Sequence, residues 1–183
     1  MNRLTSPAQI RASVLRWALF LVPTVMLLGF LSGQVGGDAS SPWFQSLEKP
    51  SIFPPPVTFG IVWSILYLLM GLACALVCAA WGARFRTPAI VAFAVQLALN
   101  LAWSPLFFGA HQITLALYLL VAIDLAVFVT VVLFFRVRRL AGWLMLPYLG
   151  WVLFATVLNW HFLQLNPDAD GRDLSGSVQR IEL

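Results

Sequence analysis

Charge is what this sequence has least of. Only 10% of its 183 residues are Asp, Glu, Lys or Arg, and Lys49 is the one lysine. A soluble domain carries about 25% charged residues. With 61% apolar residues and a mean hydropathy of +0.88, this composition excludes an ordinary soluble domain. Cysteine is nearly missing as well. Cys74 and Cys78 lie four apart on an expected helix. Two residues of one helical turn do not readily close a disulfide, so they read as small packing residues. Histidine is limited to His111 and His161. The chain has no recognisable metal cluster, phosphate loop or nucleophile–base pair, so no metal, no cofactor and no assigned catalytic residue are expected.

What the chain has in abundance is long uncharged runs. A helix needs ~20 residues to cross the hydrocarbon core. The runs 17–37, 50–83, 87–123 and 140–167, with 125–135 continuing past Asp124, yield five spans once 87–135 is broken at Phe108-Gly109-Ala110-His111-Gln112. The expected helices are 16–34, 57–81, 88–108, 112–135 and 140–163. Backbone polar groups must be satisfied internally in lipid. The fold class is therefore all-α: a polytopic membrane protein, a five-transmembrane-helix bundle. Residues 1–15 read as a basic N-terminal arm, 16–166 as the membrane domain with a lid loop at 36–56, and 167–183 as a disordered polar tail. The first span resembles a signal peptide in its basic start, but its long apolar run makes it a retained helix.

Basic residues set the expected orientation. Arg3, Arg11, Arg16, Arg84, Arg86, Arg136, Arg138 and Arg139 fall on one side with no acidic residue. The other side holds Lys49, Arg172 and Arg180 together with six acidic residues. By the positive-inside rule the N-terminus is cytoplasmic in a bacterial membrane, and the lid loop and C-terminus lie opposite. The net charge of +4 then reflects topology, and no nucleic-acid partner is implied.

Polar and aromatic residues inside the spans mark candidate sites. Pro50, Pro54, Pro55 and Pro56 forbid a helix before the second span, and Pro56 suits its first position. The result is a stiff, aromatic loop joined to a membrane helix, read as a lid. Phe59, Trp63, Tyr67 and Met70/Gly71 form one stripe on that helix. Gln96, Asn100, Trp103 and Phe107 share a face of the third span. Two amides in hydrocarbon must face protein, water or ligand, and interhelical bonding and a pocket are both open readings. Asp124, alone in an aliphatic fourth span, is either a neutral carboxyl bonded to a neighbouring helix or a proton-linked group. Pro147, Trp151, Ala155 and Asn159 make an i, i+4 stripe in which Ala155 leaves room for a flat ligand. Converging tryptophans with a few amides suit a large, flat, mostly apolar molecule.

Four blocks carry a family resemblance over about 30–166. They are Trp43-x-x-x-Leu47-x-Lys49-Pro50-x-x-x-Pro54-Pro55, Trp63-x-x-x-Tyr67-x-x-Met70-Gly71, Gln96-Leu97-x-Leu99-Asn100-x-x-Trp103-x-x-x-Phe107-Phe108-Gly109, and Pro147-Tyr148-Leu149-x-Trp151-x-x-x-Ala155-x-x-Leu158-Asn159. The chain resembles the TspO/MBR family of tryptophan-rich sensory proteins and translocator proteins, once called peripheral benzodiazepine receptors. The resemblance implies a five-helix bundle, usually a homodimer, with a pocket under the first loop. It implies binding of porphyrins and related tetrapyrroles, haem-type ligands included, for sensing or translocation, and isoquinoline or benzodiazepine drugs as further ligands. The implied ligand-binding residues are Trp63, Tyr67, Asn100, Trp103, Phe107, Trp151, Ala155 and Leu158, with Pro54 and Pro55 in the lid. An alternative the resemblance carries is light- and oxygen-dependent degradation of protoporphyrin IX through Trp63 and Trp151. Two departures matter. Ile52 and Val57 stand where relatives carry aromatics, so the lid is less aromatic unless Phe53 compensates. The block ending at Asn159 is followed by Trp160 and His161 without a nearby Arg, which implies weak or no cholesterol recognition.

Overall fold

The computed structural model describes residues 6–36 and 39–172. The described chain folds as α1 (Pro7–Gly36), a short α2 (Pro42–Ser46), α3 (Pro56–Cys78), α4 (Arg86–Ser104) continued by a π-helical turn (Pro105–Gly109), α5 (Ile113–Val137) and α6 (Arg139–Leu165). Five of these helices are long and apolar enough to cross a membrane. Many large apolar side chains face outward on them, including Leu19, Leu31, Ile61, Leu125 and Leu153. The protein is an integral, multi-pass membrane protein.

The helix bounds differ from expectation where local chemistry takes over. α1 starts at Pro7, within the stretch expected to be a polar arm. The Gln9 amide donates to the Ser6 hydroxyl (3.3 Å), and the Ser6 amide donates to the Gln9 side chain (2.9 Å), with Pro7 in the first turn. This reciprocal capping satisfies two orphan donors. At its other end α3 stops at Cys78, short of the expected 81, and Gly82 turns the chain with a φ of +80°. The π turn has a similar origin. Pro105 has no N–H, so the Leu101 carbonyl loses its helical donor. The Ser32 hydroxyl of α1 donates to that carbonyl instead (2.6 Å). The Ala110 amide then reaches back five residues to the Pro105 carbonyl (2.9 Å).

Two close approaches set the helix spacing. A Cβ on Gly71 would sit 2.7 Å from the Val22 Cα. One on Gly36 would sit 2.5 Å from the Ser104 carbonyl carbon and 2.6 Å from the Pro105 nitrogen. Backbone thus lies on backbone where α1 crosses α3 and where it meets the π turn, as small residues allow in membranes.

The bundle has two unlike halves. The half at the arginine-rich end is packed around Met70, Ala73, Cys74, Phe93, Ile123, Phe134, Met145 and Tyr148. Cys74 and Cys78 are free and buried there, with their sulfurs 4.0 Å apart. Asp124 is tied to the neighbouring helix: the Thr156 hydroxyl donates to Oδ2 at 2.7 Å. The half at the other end is capped by a separate cluster of Trp43, Phe44, Leu47, Phe107, Ile113, Leu158 and Phe162. Between that cap and the packed half lies a hollow.

The start of the C-terminal tail is ordered, contrary to the expectation for 167–183. Asp170 accepts from the amides of Ile113 (2.5 Å) and Thr114 (3.2 Å), capping an α5 that has no side-chain cap from Gln112. The Gly171 amide bonds the His111 carbonyl (2.8 Å), and His111 Nδ1 bonds the Arg172 carbonyl (2.9 Å). Polar tails dock when a helix N-terminus leaves donors unpaired. Residues 173–183 of that expected tail lie outside the described residues. Replacing Asp170 by Ala is expected to cost about 1 kcal/mol, as other lost caps do. Faster proteolysis after residue 166, with the five spans intact, is the corresponding readout.

Candidate functional site

The lid is built from α2 and the turn that follows it. Ser41 caps α2 by accepting from the Phe44 amide (3.2 Å). The Phe44 and Trp43 side chains are buried, and the Trp43 indole stacks on His111 at 4.5 Å. Lys49 closes the segment: its ammonium donates to the Phe44 and Leu47 carbonyls and sits 4.4 Å from the Phe44 ring. Burial pulls the Lys49 pKa below its ordinary value. The lid is also strapped to the tail. The Glu48 amide donates to Asn166 Oδ1 (2.7 Å), Asn166 Nδ2 donates to the Glu48 carbonyl (3.0 Å), and the Trp43 indole donates to the Ala169 carbonyl (3.3 Å). Lid, tail and the α4–α5 turn therefore form one connected roof.

Under this roof lies a cavity of about 710 Å³. All eight helix residues assigned by motif line it: Trp63 and Tyr67 from α3, Asn100, Trp103 and Phe107 from α4 and its π turn, and Trp151, Ala155 and Leu158 from α6. Pro56 and Tyr67 both reach it, so it extends about 16 Å along α3 at 1.5 Å per residue. Trp63 stacks on Tyr67 at 5.2 Å, and Trp103 stacks on Phe107 at 5.0 Å. Trp151 meets Phe59 edge-on at 5.8 Å. The Tyr67 hydroxyl donates to Asn100 Oδ1 (3.1 Å), which fixes both residues at the wall.

Pro54 and Pro55 do not line the cavity. Pro55 is the extended N-cap of α3 and is exposed; the two prolines set the chain's direction into the helix. Phe53 and Phe44 supply the lid's contribution instead, so Phe53 fills the aromatic role that Ile52 and Val57 leave open. Gln96 is fully buried below the cavity rather than lining it.

Some lining residues were not foreseen. α1 contributes Met26, Leu27, Gly29, Phe30, Gly33 and Gln34. Only Val25 and Gly36 are buried on this helix, and its apolar residues are spread around it, so no stripe announces a cavity face. Asn159, which the α6 stripe did point to, lines the wall as well. Its Nδ2 donates to the Ile113 carbonyl (3.0 Å), while its Oδ1 is buried with no partner among the described residues. The Trp103 indole N–H is likewise buried and unpartnered. Both of these atoms are buried behind the lining, and the polar side chains set in the otherwise apolar walls include Gln34, Ser64 and Asn100. None of the described lining residues is charged.

The family model described as "TspO/MBR family" matches residues 20–165. The chain belongs to the TspO/MBR family. Similar members span bacteria, archaea and mammals. Protein CrtK of Rhodobacter capsulatus is 40% identical over 126 residues, covering 68% of this chain and 79% of that protein. Tryptophan-rich protein TspO of Archaeoglobus fulgidus is 37% identical over 144 residues, covering 78% and 92%. The translocator protein of Sus scrofa is 41% identical over 143 residues, covering 76% and 83%. The TspO/MBR match spans every helix that lines the cavity.

Proposed function

We propose that this TspO/MBR member is a membrane-embedded binding and regulatory protein for porphyrins and related tetrapyrroles, acting as a sensor or translocator as its relatives' names describe. One observation carries the reading: three tryptophans from three helices converge on one cavity of about 710 Å³ with no charged residue among its described lining. That volume falls in the ~300–1,000 Å³ range of small-molecule sites. Indole faces stack on extended aromatic rings, and Gln34, Ser64 and Asn100 in the lining offer polar partners for a ring edge.

The uncharged lining adds a constraint on how such a ligand sits. A carboxylate buried without a partner costs several kcal/mol. A porphyrin diacid therefore enters ring-first, with its carboxylates left at the mouth. Titrating the purified protein with protoporphyrin IX should quench tryptophan fluorescence at micromolar ligand, and the dimethyl ester should bind at least as tightly. Absence of quenching removes the reading; a large preference for the diacid removes the ring-first orientation. The degradative alternative rests on Trp63 and Trp151, which line the same cavity. Running that titration under illumination, scored for a defined new product, separates it from binding.

A further inference from the structure

The opposite end of the molecule holds a second cleft, of about 380 Å³, lined by Ser13, Arg16, Trp17, Phe20 and Trp81. We propose that it binds the phosphate of an anionic phospholipid, with one acyl chain running down the outer face of α1.

Ser13, Arg16, Trp17 and Phe20 recur at i, i+3, i+4 and i+7, which places them on one face of α1. Trp81 closes the cleft from the turn that follows α3. It is 68% exposed, a poor arrangement in water but a normal one at the headgroup level of a bilayer, where indoles are favoured. Its ring is held from outside the cleft. The Arg86 guanidinium lies 4.0 Å from the Trp81 ring centroid, and Arg86 Nε is pinned to the Cys78 carbonyl at 3.0 Å. A cation therefore stands behind one wall while Arg16 forms another. Among the described residues Arg16 spends only its Nε on the protein, donating to the Ala12 carbonyl at 3.3 Å. Its two terminal amino groups remain as a fork that matches a phosphate.

Three features point to a lipid rather than a soluble anion. Arg11, Arg16, Arg84, Arg86, Arg136, Arg138 and Arg139 gather at this end, and among the described residues the acidic ones lie in mid-membrane or at the lid end. Basic pockets between spans at such an end are anionic headgroup sites. Phe20 is the last α1 residue of the cleft, and the apolar face continues along exposed Leu19 and Leu31. A headgroup seated on Arg16 thus has a lipid-facing groove for its chain directly beneath it.

The test uses the intact protein in detergent, with native mass spectrometry scoring retained dioleoyl phosphatidylglycerol against dioleoyl phosphatidylcholine. The expected result is preferential retention of phosphatidylglycerol. Arg16→Gln should weaken it about tenfold, and Trp81→Leu, at an exposed position that spares the fold, should weaken it as well. Arg139→Gln removes the same charge from the same end but away from the cleft, and should change retention by less than about twofold. Equal loss in Arg16→Gln and Arg139→Gln would reduce the effect to diffuse surface attraction and overturn the site. Displacement of the lipid by millimolar inorganic phosphate would overturn its assignment to a lipid. Equal retention of both lipids would overturn it outright.

Discussion

Replacing Ala155 by phenylalanine is expected to weaken protoporphyrin IX binding by roughly 100-fold or more, about 2.7 kcal/mol. Ala155 sits on the α6 stripe between Trp151 and Asn159, all three lining the cavity. The small side chain is what leaves the space between them. A benzyl group there projects into the hollow rather than into the packed half, so the bundle should keep its melting behaviour while the ligand loses its place. The measurement is the fluorescence titration, paired with a thermal melt of the same preparation. Unchanged affinity with an unchanged melt would put the ligand outside this cavity. The substitution also serves as the control for an apolar ligand that partitions into detergent, because partitioning does not respond to one residue.

The second large effect is on the fold. Gly36→Ala should destabilise the protein by about 1–3 kcal/mol, the usual range for overpacking a site that cannot relax. The atoms that the new methyl meets at 2.5 and 2.6 Å are the Ser104 carbonyl carbon and the Pro105 nitrogen, main-chain atoms with no rotamer to change. Relief requires α1 to move away from the π turn, which also lengthens the Ser32 bond to the Leu101 carbonyl. Gly33→Ala, three residues earlier on the same helix, is the internal comparison: nothing lies within 4 Å of its added Cβ. Thermal unfolding of both variants in one detergent separates the two cases. Equal melts would mean that the α1 contact with the π turn does not hold the bundle.

The helices and most of the cavity were legible in the sequence because both follow a period. Trp63 and Tyr67, Asn100 and Trp103, and Trp151 and Ala155 recur at three or four residues, so their helices bring them to common faces whatever the loops do. Parts of the site without a period were harder. α1 meets lipid over most of its surface, so its residues facing the cavity are as apolar as those facing outward. Phe44 and Phe53 reach the cavity through a loop whose course depends on Asn166, Ala169 and Lys49. The tail reads as disordered by composition, yet Asp170 finds the unpaired amides of α5, a match between segments 57 residues apart. The helical start at Pro7 did have a local signal in Ser6-Pro7-Ala8-Gln9. Arg3 and Arg11 around it give residues 1–15 the composition of a basic arm instead.

The uncharged walls of the cavity bear on how the membrane potential would act on anything it carries. A charge crossing the bilayer gains or loses about 2.3 kcal/mol per 100 mV. The described lining residues carry no ionised group, so they contribute no gating charge if they turn around an occupant. Passage of a neutral tetrapyrrole would then be blind to voltage and would follow its concentration gradient alone. A diacid with both carboxylates ionised would feel roughly twice the single-charge term. Esterifying the ligand would therefore switch an electrogenic event to a silent one in polarised vesicles, with the protein unchanged.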